Sequence, residues 1–325
     1  MIRTQVVPII WVVYSIACFY FVRPLRKFSY RALLTILPCM ILILAGCHNL
    51  PYLHMKSVMI ISFYWILAIR LIHLIVLSPE RSSSLRSFAW ELLGLFIPII
   101  QCESKHSVIF DLVSGSVKLL LNHWIYRWFL SCEPSDSYAR MAMFYVWTCT
   151  GTYVIDAQIV LVRLITQNRY TLLPFNNYPF LSKSIREFWG RRYNYFVHKL
   201  LKDSVFEPIH QTLSMSSALA ALTTFFVSGL LHAHVAVSAL GATSPLSSLM
   251  FFLLQGIACF LEMLLPVTLP RPIGILVTHI FILVTAPLYV GLYTNAGPNF
   301  FVLNAPLLSN FKWIPELPVP QFCSK

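Results

Sequence analysis

Charged side chains are scarce: they make up 11% of the 325 residues, where an average soluble domain has roughly a quarter. Acidic groups are the scarcest, with 12 Asp and Glu against 24 Lys and Arg. With 58% of residues hydrophobic and a mean hydropathy of +0.71, these shortages exclude a soluble globular protein and predict a polytopic membrane protein. Several familiar sites are missing as well. None of the eight cysteines falls in a C-x-x-C spacing, so no zinc site is expected and they read as small core hydrophobes. There is no H-E-x-x-H, no glycine-rich nucleotide loop, and no glycine two residues before Ser228, which argues against a hydrolase-type nucleophile. No metal or cofactor is expected. No small-residue cleavage pattern follows the apolar run from Gln5 to Val22, so a retained first transmembrane helix is expected.

What is present is a series of long apolar runs. Eight reach spanning length: Gln5 to Val22, Ala32 to Leu50, Ser57 to Leu77, Phe110 to Ser131, Met141 to Ile165, Leu213 to Ala239, Leu246 to Pro266 and Pro272 to Leu292. A ninth, Phe88 to Ile100, is short, contains Glu91 and ends near Pro98, so it reads as re-entrant or interfacial. The net charge of +12 does not point to nucleic acid, because most basic residues sit in short segments between apolar runs, the pattern of topology signals and lipid-headgroup contacts. Eight spans put 15 Lys and Arg in the loops of one side and five on the other, whereas a ninth span would spoil this asymmetry. The expected organisation is one integral membrane domain over residues 1–325. Five spans fill 1–165, a cytosolic loop 166–212, three spans 213–292 and a tail 293–325, with both termini lumenal.

The cytosolic loop carries a helical apolar stripe: Ile185, Phe188, Trp189, Tyr193, Phe196, Val197, Leu200 and Leu201. The stripe predicts one amphipathic interfacial helix, with Arg186, Glu187, Arg191, Asn194, His198 and Lys202 on its other face. On that helix Asn194 points away from Trp189, and Arg192 lies on the apolar side. A buried Arg192 needs an anion, a carboxylate or helix C-terminal carbonyls. The basic residues have two readings, contact with phospholipid headgroups or docking of a phosphate-rich ligand such as coenzyme A.

Within the sixth span, Thr224, Ser228 and His232 form a polar stripe at helical spacing, with Gly229 allowing close approach of a neighbour. His234 is about 200° round the helix from His232, so the two cannot share a face. A histidine in a membrane helix serves either as an interhelical hydrogen-bond partner or as a base near neutral pH. Other intramembrane polar residues are Arg70, His73, Lys118, Asn122, His123, Arg127, Asp156, Arg163, Gln255, Glu262 and His279. Asp156 and Arg163 lie on one helix face, each expected to pair with a group on another helix.

Three stretches resemble the wax synthase branch of the membrane-bound O-acyltransferase family: Ile185-Arg-Glu-Phe-Trp-Gly-Arg-Arg-Tyr-Asn194, Leu200-Leu-Lys-Asp-Ser-Val-Phe-Glu-Pro208 and Phe225-Phe-Val-Ser-Gly-Leu-Leu-His232. A weaker likeness follows over Phe251 to Glu262. The resemblance implies an all-α, O-acyltransferase-like membrane fold in the endoplasmic reticulum. It implies transfer of a fatty acyl group from acyl-coenzyme A to a hydrophobic alcohol, with His232 as catalytic histidine and Asn194 as its polar partner. Trp189, Arg191, Arg192 and Ser228 are the expected substrate and acyl-coenzyme A contacts. The chain departs from the family's common pattern at three positions: Tyr193 stands for Trp, Ala233 for Glu and Gln255 for His. A sterol or other small hydroxylated acceptor, a membrane transporter built on Asp156, Arg163 and Glu262, and a catalytically silent lipid-binding member are the alternatives.

Overall fold

The computed structural model describes residues 6–81, 84–96, 98–103, 106–133, 137–264, 269–294, 298–311, 313–321 and 323. The expected span limits Gln5 and Pro266 and the loop cations Arg3, Lys105, Lys312 and Lys325 lie outside these.

In chain order, α1 (Val7–Ala17) continues through a π-helical turn to Val22, and α2 is Phe28–Cys47. Then α3 (Met55–Ile72) runs through a second π turn to Leu77, followed by α4 (Leu85–Leu93) and the short strand β1 (Ile99–Gln101). Next come α5 (Val108–Ser131), α6 (Ser137–Thr150), α7 (Tyr153–Ile165) and the strand β2 (Tyr170–Leu172). Three short helices follow, α8 (Ile185–Glu187), α9 (Tyr195–Leu201) and α10 (Glu207–Gln211). The rest is α11 (Ser217–Leu240), α12 (Leu246–Leu264), α13 (Arg271–Thr285), α14 (Val290–Thr294) and α15 (Pro298–Leu303).

Among the described residues, seven helical stretches are long and apolar enough to cross a membrane, and Val7–Val22 is a shorter apolar one. They coincide with the eight expected spans. Their outward positions are apolar, as at Leu33, Leu37 and Leu44 on α2 and Leu161, Leu164 and Ile165 on α7. A lipid-facing surface requires this, because hydrocarbon offers polar groups no partner. The fifth span is interrupted at Gly151–Thr152, where the Trp147 carbonyl accepts both the Gly151 N–H (2.8 Å) and the Asn122 amide (2.8 Å). Asn122 thus ties α5 to the last turn of α6, sharing the Trp147 carbonyl and reaching Thr150 as well (3.0 Å).

The chain divides into two compact units, each made of two separate stretches. The first comprises Met1–Ile97 and Lys199–Phe260. Its apolar core includes Ile43, Ile61, Leu71, Leu74, Ile75, Phe88 and Leu200. Two glycines set the approach of α11 and α12: a Cβ on Gly229 would sit 2.8 Å from Leu249 Cδ1, and one on Gly256 3.0 Å from Phe225 Cβ. The stretch left out of the spans is α4 followed by β1; α4 buries Phe88 and Leu92, and its Glu91 pairs with Arg70 of α3 at 2.6 Å.

The second unit comprises Pro98–His198 and Leu261–Lys325. Two ion pairs tie α5 to α7, Lys118 to Asp156 (2.7 Å) and Asp111 to Arg163. Asp156 and Arg163 therefore both find partners on a neighbouring helix. Their spacing of seven matches that of Asp111 and Lys118 with the charges reversed, which fixes the antiparallel register of the two helices. The pairing of β1 with β2, Ile99 opposite Leu172, was not expected from sequence; three-residue strands give no usable period. Buried Arg140 donates to the carbonyls of Cys132 (2.7 Å) and Thr294 (2.8 Å) and lies over the Phe129 ring, so it caps the ends of α5 and α14.

The cysteine expectation needs correction at two of eight positions. Cys132, just past α5, is disulfide-bonded to Cys323, 191 residues along the chain. The same tail is held by Trp124, which donates to the Pro315 carbonyl (3.0 Å), and by an ion pair between Arg127 and Glu316. Sequence spacing cannot show such a pair, whereas the six other cysteines are in no disulfide among the described residues and four of them are buried. The topology expected from charge asymmetry would put both bonded cysteines on the lumenal side, the compartment in which disulfides form. In sealed microsomes, a membrane-impermeant maleimide is expected to leave Cys132 and Cys323 unlabelled until detergent and reductant are added. Labelling of either from the cytosolic side without reductant would contradict this topology.

Candidate active site

The candidate residues divide between the two units. Trp189, Arg191, Arg192 and Asn194 belong to the second, Ser228 and His232 to the first.

In the second unit, α8 starts at a well-made cap. Ser184 Oγ accepts the Glu187 N–H (3.0 Å), and Glu187 reaches back to the Lys183 N–H (2.9 Å), a variant of the capping box. The Ile185 and Arg186 N–H groups are taken by the two oxygens of Glu262 at the end of α12 (2.7 and 2.9 Å). Glu262 therefore satisfies donors that a helix start leaves free. Sequence reasoning placed it among unexplained membrane charges.

Past α8 the chain forms a π-helical turn, Phe188–Arg192, closed by the Tyr193 N–H on the Phe188 carbonyl (2.8 Å). It then breaks. Asn194 has φ of +46°, a left-handed conformation in which Asn is among the few tolerated non-glycine residues. Its Oδ1 accepts the Val197 N–H (3.3 Å) as the N-cap of α9, and its own N–H donates to Asn176 Oδ1 (2.8 Å). The single amphipathic helix expected from Ile185 onward is thus two helices. The periodicity survived because both halves bury apolar residues, Phe188 in one and Leu200 and Leu201 in the other. With the helix broken, the inference that Asn194 must face away from Trp189 loses its basis. The signal for the break was Asn194 itself, a residue favoured at caps and in the left-handed region.

Trp189 lies edge-on to Tyr193 and Phe188, and Phe188 stacks on Tyr193 with ring centroids 5.0 Å apart. His279 of α13 completes this aromatic wall. It is bonded through Nδ1 to the Ile275 carbonyl (2.8 Å), which leaves Nε2 as acceptor for the Tyr145 hydroxyl (3.4 Å). Arg191 is exposed. Arg192 is not: Nε and Nη2 each lie 2.7 Å from Glu187 Oε1, and Nη1 reaches the Asn177 carbonyl (3.3 Å). A carboxylate and loop carbonyls are the partners its position demanded. Burial alone would raise the Glu187 carboxyl, but the Lys183 N–H and the Arg192 guanidinium hold it below its ordinary range.

In the first unit, α11 is unbroken from its Ser216 cap to Gly241, which ends it at φ of +69°. His232 is half-buried, and its ring stacks on Phe252 of α12 with centroids 4.2 Å apart and planes 3° from parallel. Ser228, one turn earlier, is buried, as is Gln255 on α12. His234 has a different task. Its Nδ1 accepts the Trp65 indole N–H (3.0 Å), so it ties α11 to α3 as a neutral imidazole.

His232 lies inside a membrane-length helix, and the Phe188–Asn194 segment precedes it in the chain. Residues 172–254, which take in both, match the membrane bound O-acyl transferase family. The chain is also similar to individual acyltransferases of plants. A long-chain-alcohol O-fatty-acyltransferase of Simmondsia chinensis is 32% identical over 126 residues, which cover 35% of this chain and 36% of that protein. An acyl-CoA–sterol O-acyltransferase of Arabidopsis thaliana is 35% identical over 127 residues, with the same shares. A probable long-chain-alcohol O-fatty-acyltransferase of the same plant is 42% identical over 65 residues, 19% of each chain. The matched stretches thus span little more than a third of the length of these curated relatives.

Proposed function

We propose that this protein is an acyl-CoA-dependent O-acyltransferase that esterifies a hydrophobic alcohol with a fatty acyl group, the chemistry of wax ester synthesis, in the endoplasmic reticulum. The observation that carries this reading is the family match over residues 172–254, which takes in both the Phe188–Asn194 segment and His232.

The transfer is direct, without a covalent acyl-enzyme. His232 accepts the proton of the acceptor hydroxyl as that oxygen attacks the thioester carbonyl. Attack and proton loss are concerted, since an alcohol is too weak an acid to ionise first. The new C–O bond forms, the C–S bond breaks, and the departing thiolate of coenzyme A takes the proton back from His232. Asn194 Oδ1 is occupied by its helix cap, so its Nδ2 is the donor for the developing oxyanion, a role worth about 2.7–4 kcal/mol in a preorganised site. Ser228 lies on the His232 face of α11 and contacts the bound substrate. Phe188 and Trp189 border the lipid chain, and Arg191 meets coenzyme A phosphates from the cytosolic side, with Arg192 as a secondary contact through its salt bridge.

Esterification of a sterol is the second reading, favoured by the likeness to a sterol acyltransferase. Microsomes containing the protein, given labelled palmitoyl- or acetyl-coenzyme A with hexadecanol, a sterol or diacylglycerol, separate the two. A wax ester from palmitoyl-coenzyme A and hexadecanol is the expected product. Sterol ester alone would favour the second reading, and no product with any acceptor would overturn both.

A further inference from the structure

The second unit has an open pocket of about 290 Å³ lined by Leu181, Lys183, Glu187, Arg192, Leu269 and Arg271. Three of the six are cations. Arg192 and Glu187 neutralise each other through their salt bridge. Lys183 and Arg271 have no ion-pair partner among the described residues. Their relative position is built in, because α13 packs directly on the backbone at Lys183: a Cβ on Gly274 would lie 2.6 Å from the Lys183 carbonyl oxygen. Arg271 opens that same helix. The Glu187 carboxylate is bonded to Arg192 and the Lys183 N–H and also feels the Lys183 charge, so it offsets one of the three positive charges. Both segments lie on the side that charge asymmetry makes cytosolic.

From this geometry we infer that the pocket binds a phosphomonoester dianion, with Lys183 and Arg271 as its counter-ions. Three cations against one carboxylate leave the lining with an excess of two positive charges, which matches a doubly charged phosphate better than the singly charged diester linkages of a pyrophosphate bridge or a common phospholipid. Two sources carry such a group, the 3′-phosphate of coenzyme A and the headgroup of phosphatidic acid. The first extends the proposed function and rests on it; the second is independent of it.

The test is binding, not turnover. The purified full-length protein in nanodiscs is titrated with labelled coenzyme A and with 3′-dephospho-coenzyme A, and its retention of phosphatidic acid against phosphatidylcholine is measured separately. The wild type is expected to prefer coenzyme A by about tenfold, the scale of one charge-assisted hydrogen bond. The double variant Lys183→Ala/Arg271→Ala is expected to bind both nucleotides as weakly as the wild type binds the dephospho form. Its unchanged affinity for 3′-dephospho-coenzyme A shows that the variant is folded. If nucleotide discrimination is absent but the double variant loses selective retention of phosphatidic acid, the site stands with the lipid as its source. If the wild type discriminates in neither assay, or the double variant retains both preferences, the inference is overturned. Binding with discrimination but no acyl transfer would overturn the proposed function and leave this site intact. Acyl transfer without either discrimination would do the reverse.

Discussion

Replacing His232 with alanine is expected to lower acyl transfer by about 10²- to 10⁴-fold, the usual contribution of a positioned general base, while the protein still accumulates in membranes. Accumulation is expected because the ring is half-buried and stacked on Phe252, while the neighbouring Leu231, Ala233, Val235 and Ala236 keep α11 buried without it. His234 provides the control. Its Nδ1 accepts the Trp65 indole, and His234→Ala leaves that buried donor without its partner, at a cost of about 1–3 kcal/mol in stability. Transfer per folded molecule is expected to survive. The two histidines two residues apart therefore separate a chemical role from a structural one. Comparable activity in both variants, normalised to folded protein, would remove His232 from the reaction.

That the two histidines meet different helices was legible in the sequence, because two residues along a helix is a rotation of about 200° and the polar stripe runs through His232 alone. The spans were legible for a similar reason. A bilayer demands about 20 apolar residues per crossing, and this requirement overrides the finer features that a sequence hides. Local backbone events were not legible. A helical period continues through the break at Tyr193–Asn194 because each half has its own apolar face, so periodicity alone reports one helix. Contacts between residues distant in sequence were hidden too, as with Glu262 on the α8 start and Cys132 on Cys323. The membrane charges were visible but not their partners. Asp156 pairs with Lys118, Arg163 with Asp111, and Glu262 holds two backbone amides. Charges committed in this way hold helices together, which weakens the motive for reading them as a transport pathway.

Arg70→Met is expected to destabilise the first unit by about 3–5 kcal/mol, the range for breaking a buried ion pair from one side. Arg70 is buried at 8% side-chain exposure and Glu91 is 27% exposed, so the lower end of that range applies. The guanidinium holds Glu91 twice, through its carboxylate (2.6 Å) and its backbone carbonyl (2.8 Å), and also reaches Ser204 (3.2 Å). Without it, α4 loses both bonds at Glu91, and the burial of Phe88 and Leu92 must carry more of its docking. A nine-residue helix has little stability of its own. The expected readout is a lower melting temperature in detergent and less monodisperse protein on size-exclusion chromatography. The double variant Arg70→Met/Glu91→Leu is expected to recover most of the loss, because replacing both partners removes the unpaired charge along with the pair. If the double variant is no more stable than Arg70→Met, the carboxylate is not the source of the cost, and the guanidinium's other bonds, to His73, Ser204 and the Glu91 carbonyl, carry it instead. The pair also accounts for the missing ninth span. Glu91 is paired at the end of α3 beside a short helix, an arrangement that a bilayer crossing through residues 88–100 would have to break.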